Sequence, residues 1–199
     1  DLLYCCVGDV SGKGVPASLF MAQATRLFRT LAVQRMMPAD ILTRMNDALT
    51  EDNEQGMFVT MFLGLLDLNT GKLNFCNAGH NPPVLTDEPV SIGDKGTHTS
   101  HFIEMIPNAP IGLWPGLVYE GEEIENIKKR PLMVYTDGLT EAEIRQQEQF
   151  GEQRLMDILC NNHFDCGKDV VEYLKVQVDK FRDGAVVNDD LTLLCLRVE

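Results

Sequence analysis

Phe58-Val59-Thr60-Met61-Phe62-Leu63-Gly64-Leu65-Leu66-Asp67, followed by Leu68-Asn69-Thr70-Gly71 and then Lys72-Leu73-Asn74-Phe75-Cys76-Asn77-Ala78, is the stretch that decides the fold. Two runs of apolar, aromatic and β-branched residues flank Asn69-Thr70-Gly71, which is a hairpin signal. Working outward, residues 2–7 read as a short apolar strand and 8–14 as a tight Gly-rich turn. Residues 16–33 carry a helical pattern, with Leu19, Phe20, Ala24, Leu27, Phe28 and Leu31 on one stripe and Pro16 in the first turn. Residues 39–49 form a second such pattern. Beyond the hairpin, 84–85, 101–105, 117–124 and 131–134 read as strands, and 86–100 as a polar, mobile surface loop. Helices near 151–161 and 168–182 and a strand at 191–198 complete the chain. Strands clustered in the middle with helices to both sides favour an α+β fold with antiparallel sheets over alternating βαβ units.

The chain has 199 residues, enough for one domain with a substantial core. Its formal net charge is −13, which argues against binding a nucleic-acid backbone or an anionic membrane surface. No apolar run approaches the roughly 20 residues of a membrane span, and no secretory signal opens the chain. Cys5, Cys6, Cys76 and Cys195 fall inside apolar strand patterns and read as buried thiols. With Cys160 and Cys166 they form no C-x-x-C pair, so a reducing, cytoplasmic setting is the expectation.

Three acidic motifs lie beside apolar strands: Gly8-Asp9-Val10-Ser11-Gly12-Lys13-Gly14, Tyr135-Thr136-Asp137-Gly138 and Asn188-Asp189-Asp190-Leu191-Thr192. Taken singly, each is explained by ordinary turn chemistry, an Asp-Gly turn for Asp137 or a strand-to-helix turn for Asp9 and Ser11. Turns have no reason to carry all three together. Hard divalent cations take oxygen ligands and keep several waters, so a few Asp residues suffice to hold them. Asp9, Asp137 and the Asp189-Asp190 pair, with the Val10 carbonyl, are therefore candidate metal ligands and catalytic residues. Metal sites of this kind hydrolyse phosphate esters.

Other chemistries fail on residue type or spacing. Lys13 is followed by Gly14, so the first motif is no Walker loop. No Cys has an Arg six residues on, D-x-D-x-[TV] is absent, and so is G-x-S-x-G. Ser11 reads as structural. His80, in Gly79-His80-Asn81-Pro82-Pro83, reads as a residue holding that turn rather than a general acid.

The motifs as a set resemble the SpoIIE/RsbU-type serine phosphatases, the bacterial branch of the metal-dependent type 2C (PPM) protein phosphatases. The matching pieces run in order from Gly8 to Ala17, through Asn77-Ala78-Gly79-His80-Asn81-Pro82-Pro83 and Ala109-Pro110-Ile111-Gly112-Leu113. They continue with Tyr135-Thr136-Asp137-Gly138-Leu139-Thr140-Glu141-Ala142, Phe150-Gly151-Glu152 and Asp189-Asp190-Leu191-Thr192. The resemblance implies two antiparallel sheets packed as a sandwich flanked by helices, and two Mn²⁺ or Mg²⁺ ions. It implies that Asp9 bridges the metals, that the Val10 carbonyl binds the first, and that Asp137 and Asp189 bind the second. Asp190 either supports these ligands from behind or is only their neighbour. Metal-activated water would hydrolyse phosphoserine or phosphothreonine on a regulatory protein, with a phosphorylated STAS-type anti-sigma-factor antagonist as the usual substrate. A sensor or receiver domain commonly precedes such a domain, and its first two helices often act as a switch or homodimer contact. The alternative is a catalytically silent module that binds a phosphoprotein or relays a signal.

One departure from the family pattern carries its own expectation. The family places a Gly-Gly-Asp motif on a strand before the first motif, and this chain opens at Asp1. Residues 1–199 are therefore expected to be a phosphatase domain cut short at its N-terminus, holding one metal or none and only weakly active.

Overall fold

The central hairpin forms as its sequence dictates. Strand β2 (Val59–Asp67) pairs antiparallel with β3 (Leu73–Ala78), Met61 opposite Ala78 and Leu66 opposite Leu73. The turn between them is tied by the Asp67 carboxylate, which accepts the Asn69 N–H at 2.9 Å. In chain order the elements are β1 (Leu2–Val10), α1 (Val15–Ala32), α2 (Pro38–Thr50), β2, β3, β4 (Val84–Asp87), β5 (Thr99–Phe102), β6 (Glu122–Ile124), β7 (Leu132–Tyr135), α3 (Gly151–Asn161), α4 (Gly167–Arg182) and β8 (Leu193–Leu196). This computed structural model describes residues 1–51, 53–87 and 99–199. It divides into two units, residues 1–80 with 105–126, and residues 81–104 with 127–199. Each unit carries one four-stranded antiparallel sheet and two of the helices, so the α+β class read from the sequence holds.

In the first unit the strand order is β1-β2-β3-β6. Alternate residues of β2 and β3, namely Val59, Met61, Leu63 and Cys76, meet Phe20 and Ala24 of α1 and Ile41, Leu42 and Met45 of α2. These side chains are at most 8 % exposed. Leu19 does not join them. It is 63 % exposed, because the buried row of α1 runs through Ala17, Phe20 and Ala24 at three- and four-residue steps. One polar side chain enters this core. Asn46 is fully buried, donates to the Trp114 carbonyl at 2.9 Å, and accepts the Gly112 N–H at 2.9 Å. Asn46→Ala strands both backbone groups and costs about 2 kcal/mol. A fall of about 4–8 °C in thermal midpoint is the expected result.

In the second unit the order is β5-β4-β7-β8. Leu155 and Leu159 of α3 and Val170, Leu174 and Val178 of α4 pack with Val84, Met133 and Tyr135 of the sheet. Helix α4 starts tight against β8. A Cβ on Gly167 would come 2.8 Å from the Cys195 carbonyl oxygen, so only glycine allows the approach.

Four expectations need correcting. Strand β1 runs on to Val10 rather than stopping at residue 7, because Gly8, Asp9 and Val10 continue the ladder opposite Met61, Thr60 and Val59. Within 117–124 only Glu122–Ile124 is strand. Side chains take the earlier backbone groups: Thr43 Oγ1 accepts Tyr119 N–H at 3.1 Å, and Asn108 Oδ1 accepts Glu120 N–H at 2.9 Å. The 191–198 strand is confined to Leu193–Leu196, and Thr192 instead bonds Thr136. Strands β4 and β5 reach into the supposed 86–100 loop at both ends, and its residues 88–98 lie outside the described residues.

All six cysteines are free thiols. Cys5 and Cys76 are buried, whereas Cys6 and Cys195 are only half-buried. Burial pushes the Cys5 and Cys76 thiols up to about 12 and Cys195 up to about 11, from 9.0. The folded protein thus keeps protons that the unfolded chain releases. This contribution to stability is whole below pH 9 and is lost as the pH climbs toward 11–12. Urea midpoints should hold between pH 7 and 8.5 and fall by pH 10.5, with a shallower fall for Cys76→Ala. A midpoint unchanged at pH 10.5 would contradict this.

Candidate functional site

Asp9 sits on a strand, not in a turn. Its partner across the ladder is Thr60, whose hydroxyl lies 3.5 Å from the Asp9 carbonyl and 3.0 Å from His80 Nδ1. Neighbouring Val10 pairs with Val59, but Val59 gives both its N–H and its C=O to Ile111, at 2.9 Å each. Val10 and Val59 are therefore a non-hydrogen-bonded pair, and the Val10 carbonyl is directed away from β2 along the outer edge of β1. That leaves it an oxygen donor that the sheet does not consume. Past Val10 the chain turns at once. Ser11 N–H donates to the Phe58 carbonyl at 2.8 Å, and the Ser11 hydroxyl accepts Phe58 N–H at 2.9 Å. This is the structural role expected for Ser11.

His80 is also buried, at 6 % exposed. Asn77 clamps its turn: His80 N–H donates to Asn77 Oδ1 at 2.7 Å and Asn77 Nδ2 donates to the His80 carbonyl at 3.0 Å. Gly79 between them has φ +66°, and a Cβ there would sit 2.7 Å from the Pro110 ring. The turn is held by the Asn77 side chain acting on the His80 main chain, while the His80 ring reaches Thr60 on β2, so the holding expected of His80 falls to Asn77.

In the second unit, β7 delivers Asp137 and the segment before β8 delivers Asp189. The two segments are stitched together. Thr136 N–H donates to the Thr192 carbonyl at 3.1 Å, Thr136 Oγ1 to the Asp190 carbonyl at 3.1 Å, and Thr192 N–H to Thr136 Oγ1 at 3.0 Å. Gly138 has no side chain because none fits. A Cβ would lie 2.2 Å from the Asp190 carbonyl oxygen. Asn188 Nδ2 adds a bond to the Glu141 carbonyl at 2.7 Å. The Asp137 carbonyl accepts Glu141 N–H at 2.7 Å, which closes its turn.

The carboxylates are set up differently from one another. Asp137 Oδ1 is buried and, among the described residues, has no hydrogen-bond partner. A buried carboxylate oxygen with no donor is costly unless a cation or proton completes it. Asp189 Oδ1 accepts the N–H of Asp190 at 2.9 Å, which orients the group. Asp190 is exposed and its main chain does the work, through its carbonyl to Thr136. Oxygen donors of this kind fit Mn²⁺ or Mg²⁺. Among the described residues, no three His, Cys, Asp or Glu side chains are gathered closely enough to hold a metal ion. The fit therefore rests on donor chemistry and on the orphaned Asp137 oxygen. Thr60 was not singled out from the sequence, and Thr136 and Gly138 were read only as neighbours of Asp137 in its motif. The Asp-Gly pair signalled a turn, not the close approach of the 190–192 segment that the structure shows there.

Comparison with known proteins bears on the chain as a whole. The family model described as Stage II sporulation protein E (SpoIIE) matches residues 2–199. Protein IcfG of Synechocystis sp. is 29% identical over 228 aligned positions, covering 98% of this chain and 34% of that protein. Phosphoserine phosphatase RsbU of Bacillus subtilis is 23% identical over 198 positions, covering 99% of this chain and 56% of that protein. The crystal structure of the RsbU and RsbW domains of Rv1364c from Mycobacterium tuberculosis superposes with a TM-score of 0.76 at 25% identity, covering 98% of this chain and 52% of that one. The chain spans between about a third and just over half the length of these curated relatives. With the match running almost end to end through all three acidic motifs, the chain belongs to the Stage II sporulation protein E (SpoIIE) family.

Proposed function

We propose that the chain is a divalent-metal-dependent protein phosphatase that hydrolyses phosphoserine or phosphothreonine on a regulatory protein. The observation that carries this reading is Asp137 Oδ1, buried without a donor at the end of β7. The name of RsbU, a phosphoserine phosphatase, supports the substrate class. Asp9, the Val10 carbonyl, Asp137 and Asp189 are the proposed ligands, and Mn²⁺ or Mg²⁺ the proposed ions. The ions would supply Lewis acidity and lower the pKa of water at neutral pH. The chain's own residues do the rest. The Thr136 bonds and the absent Gly138 side chain fix the turn that carries Asp137 against the 190–192 segment. Asp190 N–H holds one oxygen of Asp189 and leaves the other to a ligand.

The natural substrate is proposed to be a phosphorylated STAS-type anti-sigma-factor antagonist, with a sensor or receiver domain in the same protein and a homodimer as the working form. A cytoplasmic, reducing setting suits six free thiols. Among the described residues, no helix is long and apolar enough to cross a membrane.

The test is Mn²⁺-dependent release of phosphate from a phosphoserine protein. It should be run on residues 1–199 and on the chain with whatever its gene encodes upstream, alongside Mn²⁺ binding followed by electron paramagnetic resonance. Binding with turnover supports the proposal, and so does weaker binding in residues 1–199 than in the longer chain. Binding without turnover in either form favours the silent binding module. Neither binding nor turnover removes the metal-dependent reading.

A further inference from the structure

The second unit contains a cavity of about 70 Å³ whose lining includes none of the proposed metal ligands. Its floor is apolar. Met133, Leu159 and Val170 line it at 2 %, 4 % and 3 % exposure, and Phe164 and Cys195 add to the walls. A floor lined this way takes an apolar guest. Scaling from a 150 Å³ cavity that holds benzene, this one holds roughly three carbon atoms.

The mouth is charged: among the described residues its lining carries Lys129 and Arg197 against one carboxylate, Asp87. Asp87 lines it, but Arg130 Nε sits 2.7 Å and His101 Nδ1 3.5 Å from that carboxylate. His163 lies 3.4 Å from Asp165. Arg197 is anchored by Nη1, which donates to the Phe164 and Asp165 carbonyls at 3.2 and 3.0 Å, and its Nε lies 3.1 Å from exposed Glu199. Lys129 remains. Among the described residues it forms no ion pair. Its backbone is left-handed at φ 60°, and its N–H is pinned to the Val198 carbonyl at 2.6 Å. A non-glycine residue in that conformation is held there at a cost, so the turn that presents Lys129 is over-determined by its surroundings. On a chain with a net charge of −13, a cationic mouth over an apolar floor selects for an anion with a short greasy tail.

We propose that this cavity binds a small monocarboxylate, its alkyl tail against Met133, Leu159 and Val170 and its carboxylate at Lys129 and Arg197. The site lies on the strands that carry the acidic motifs. Met133 and Cys195 face each other in the β7–β8 ladder, β7 runs into Asp137, and β8 follows Asp189. Occupancy therefore braces the ladder that holds those two segments. The proposal is independent of the metal chemistry and of the proposed activity.

Titration of the ¹⁵N- and methyl-labelled 199-residue chain with butyrate, n-butylamine and 1-butanol tests it by nuclear magnetic resonance. Butyrate is expected to bind with a Kd of about 1 mM, a plausible efficiency for so small a ligand. Its shifts should centre on Met133, Leu159 and Cys195, with the amine binding at least about tenfold more weakly, one charge interaction lost. Lys129→Ala alters an exposed side chain, so the fold should persist and the Kd should rise about fivefold or more. Equal binding of butyrate and butylamine would overturn the proposal. So would shifts centred away from these residues, or an unchanged Kd in Lys129→Ala.

Discussion

Asp137→Asn is expected to lower phosphatase turnover by about 10³-fold, the several kcal/mol that a correctly held cation contributes to phosphoryl transfer. The substitution is nearly isosteric. It keeps the main-chain carbonyl that accepts Glu141 N–H, so the turn should stand. What changes is the buried oxygen at Oδ1, which in the wild type has no donor to satisfy it. An amide there carries no charge to offer a cation. Mn²⁺ affinity should fall together with turnover, while the thermal midpoint in the absence of metal stays within about 2 °C, because the side chain is only half-buried and its shape is kept. Turnover that survives in Asp137→Asn would remove Asp137 from the chemistry and leave its unpartnered oxygen without a function.

Gly138→Ala is expected to be the most damaging small substitution in the second unit. The new methyl would lie 2.2 Å from the Asp190 carbonyl oxygen and 2.8 Å from its carbon. Both are main-chain atoms, so no side-chain rotation relieves the clash. The turn must move off the 190–192 segment, and the three bonds made by Thr136 lengthen or break. Overpacking and the lost bonds together cost roughly 3 kcal/mol, or about 6–12 °C in thermal midpoint. Turnover should fall with it, because Asp137 and Asp189 are then no longer fixed relative to each other. Gly116→Ala is a suitable control. Gly116 has φ +73° with nothing within 4 Å of the added carbon, so only the backbone penalty of about 1 kcal/mol applies. Equal effects at the two positions would show that the close approach at Gly138 is not rigid.

The helices were the most legible part of the sequence. All four lie within one residue of their expected limits, because each combines a 3.6-residue apolar period with a clear start or stop such as Pro16 or Pro38. The β2–β3 hairpin was equally plain from its turn. What escaped was decided by partners distant in sequence. Gly8-Asp9 looks like a turn until β2 arrives to pair with it, and residues 117–121 look like a strand until Thr43 and Asn108 take their backbone bonds. The acidic motifs picked out the segments that matter. The residues that set their geometry were hidden, since a Thr at 60 or 136 carries no mark of the bond it will make. A buried asparagine such as Asn46 or Asn77 is likewise indistinguishable from a surface one before the fold exists.

The division of the chain between its two units sets an order of events during synthesis. The first unit draws on residues 1–80 and 105–126, so its sheet can be finished once β6 has left the ribosome. The second cannot. Strand β7, Leu132-Met133-Val134-Tyr135, finds β4 already made on one side, but its other neighbour begins only at Leu193. At roughly 5–20 residues per second, that edge waits for about 3–12 s. A fully apolar strand with an open edge is a template for pairing with other nascent chains. Chaperone dependence and polysome-level aggregation should therefore concentrate in this window. The β7–β8 pairing and the Thr136 bonds to the 190–192 segment therefore form well after the first unit's sheet is complete.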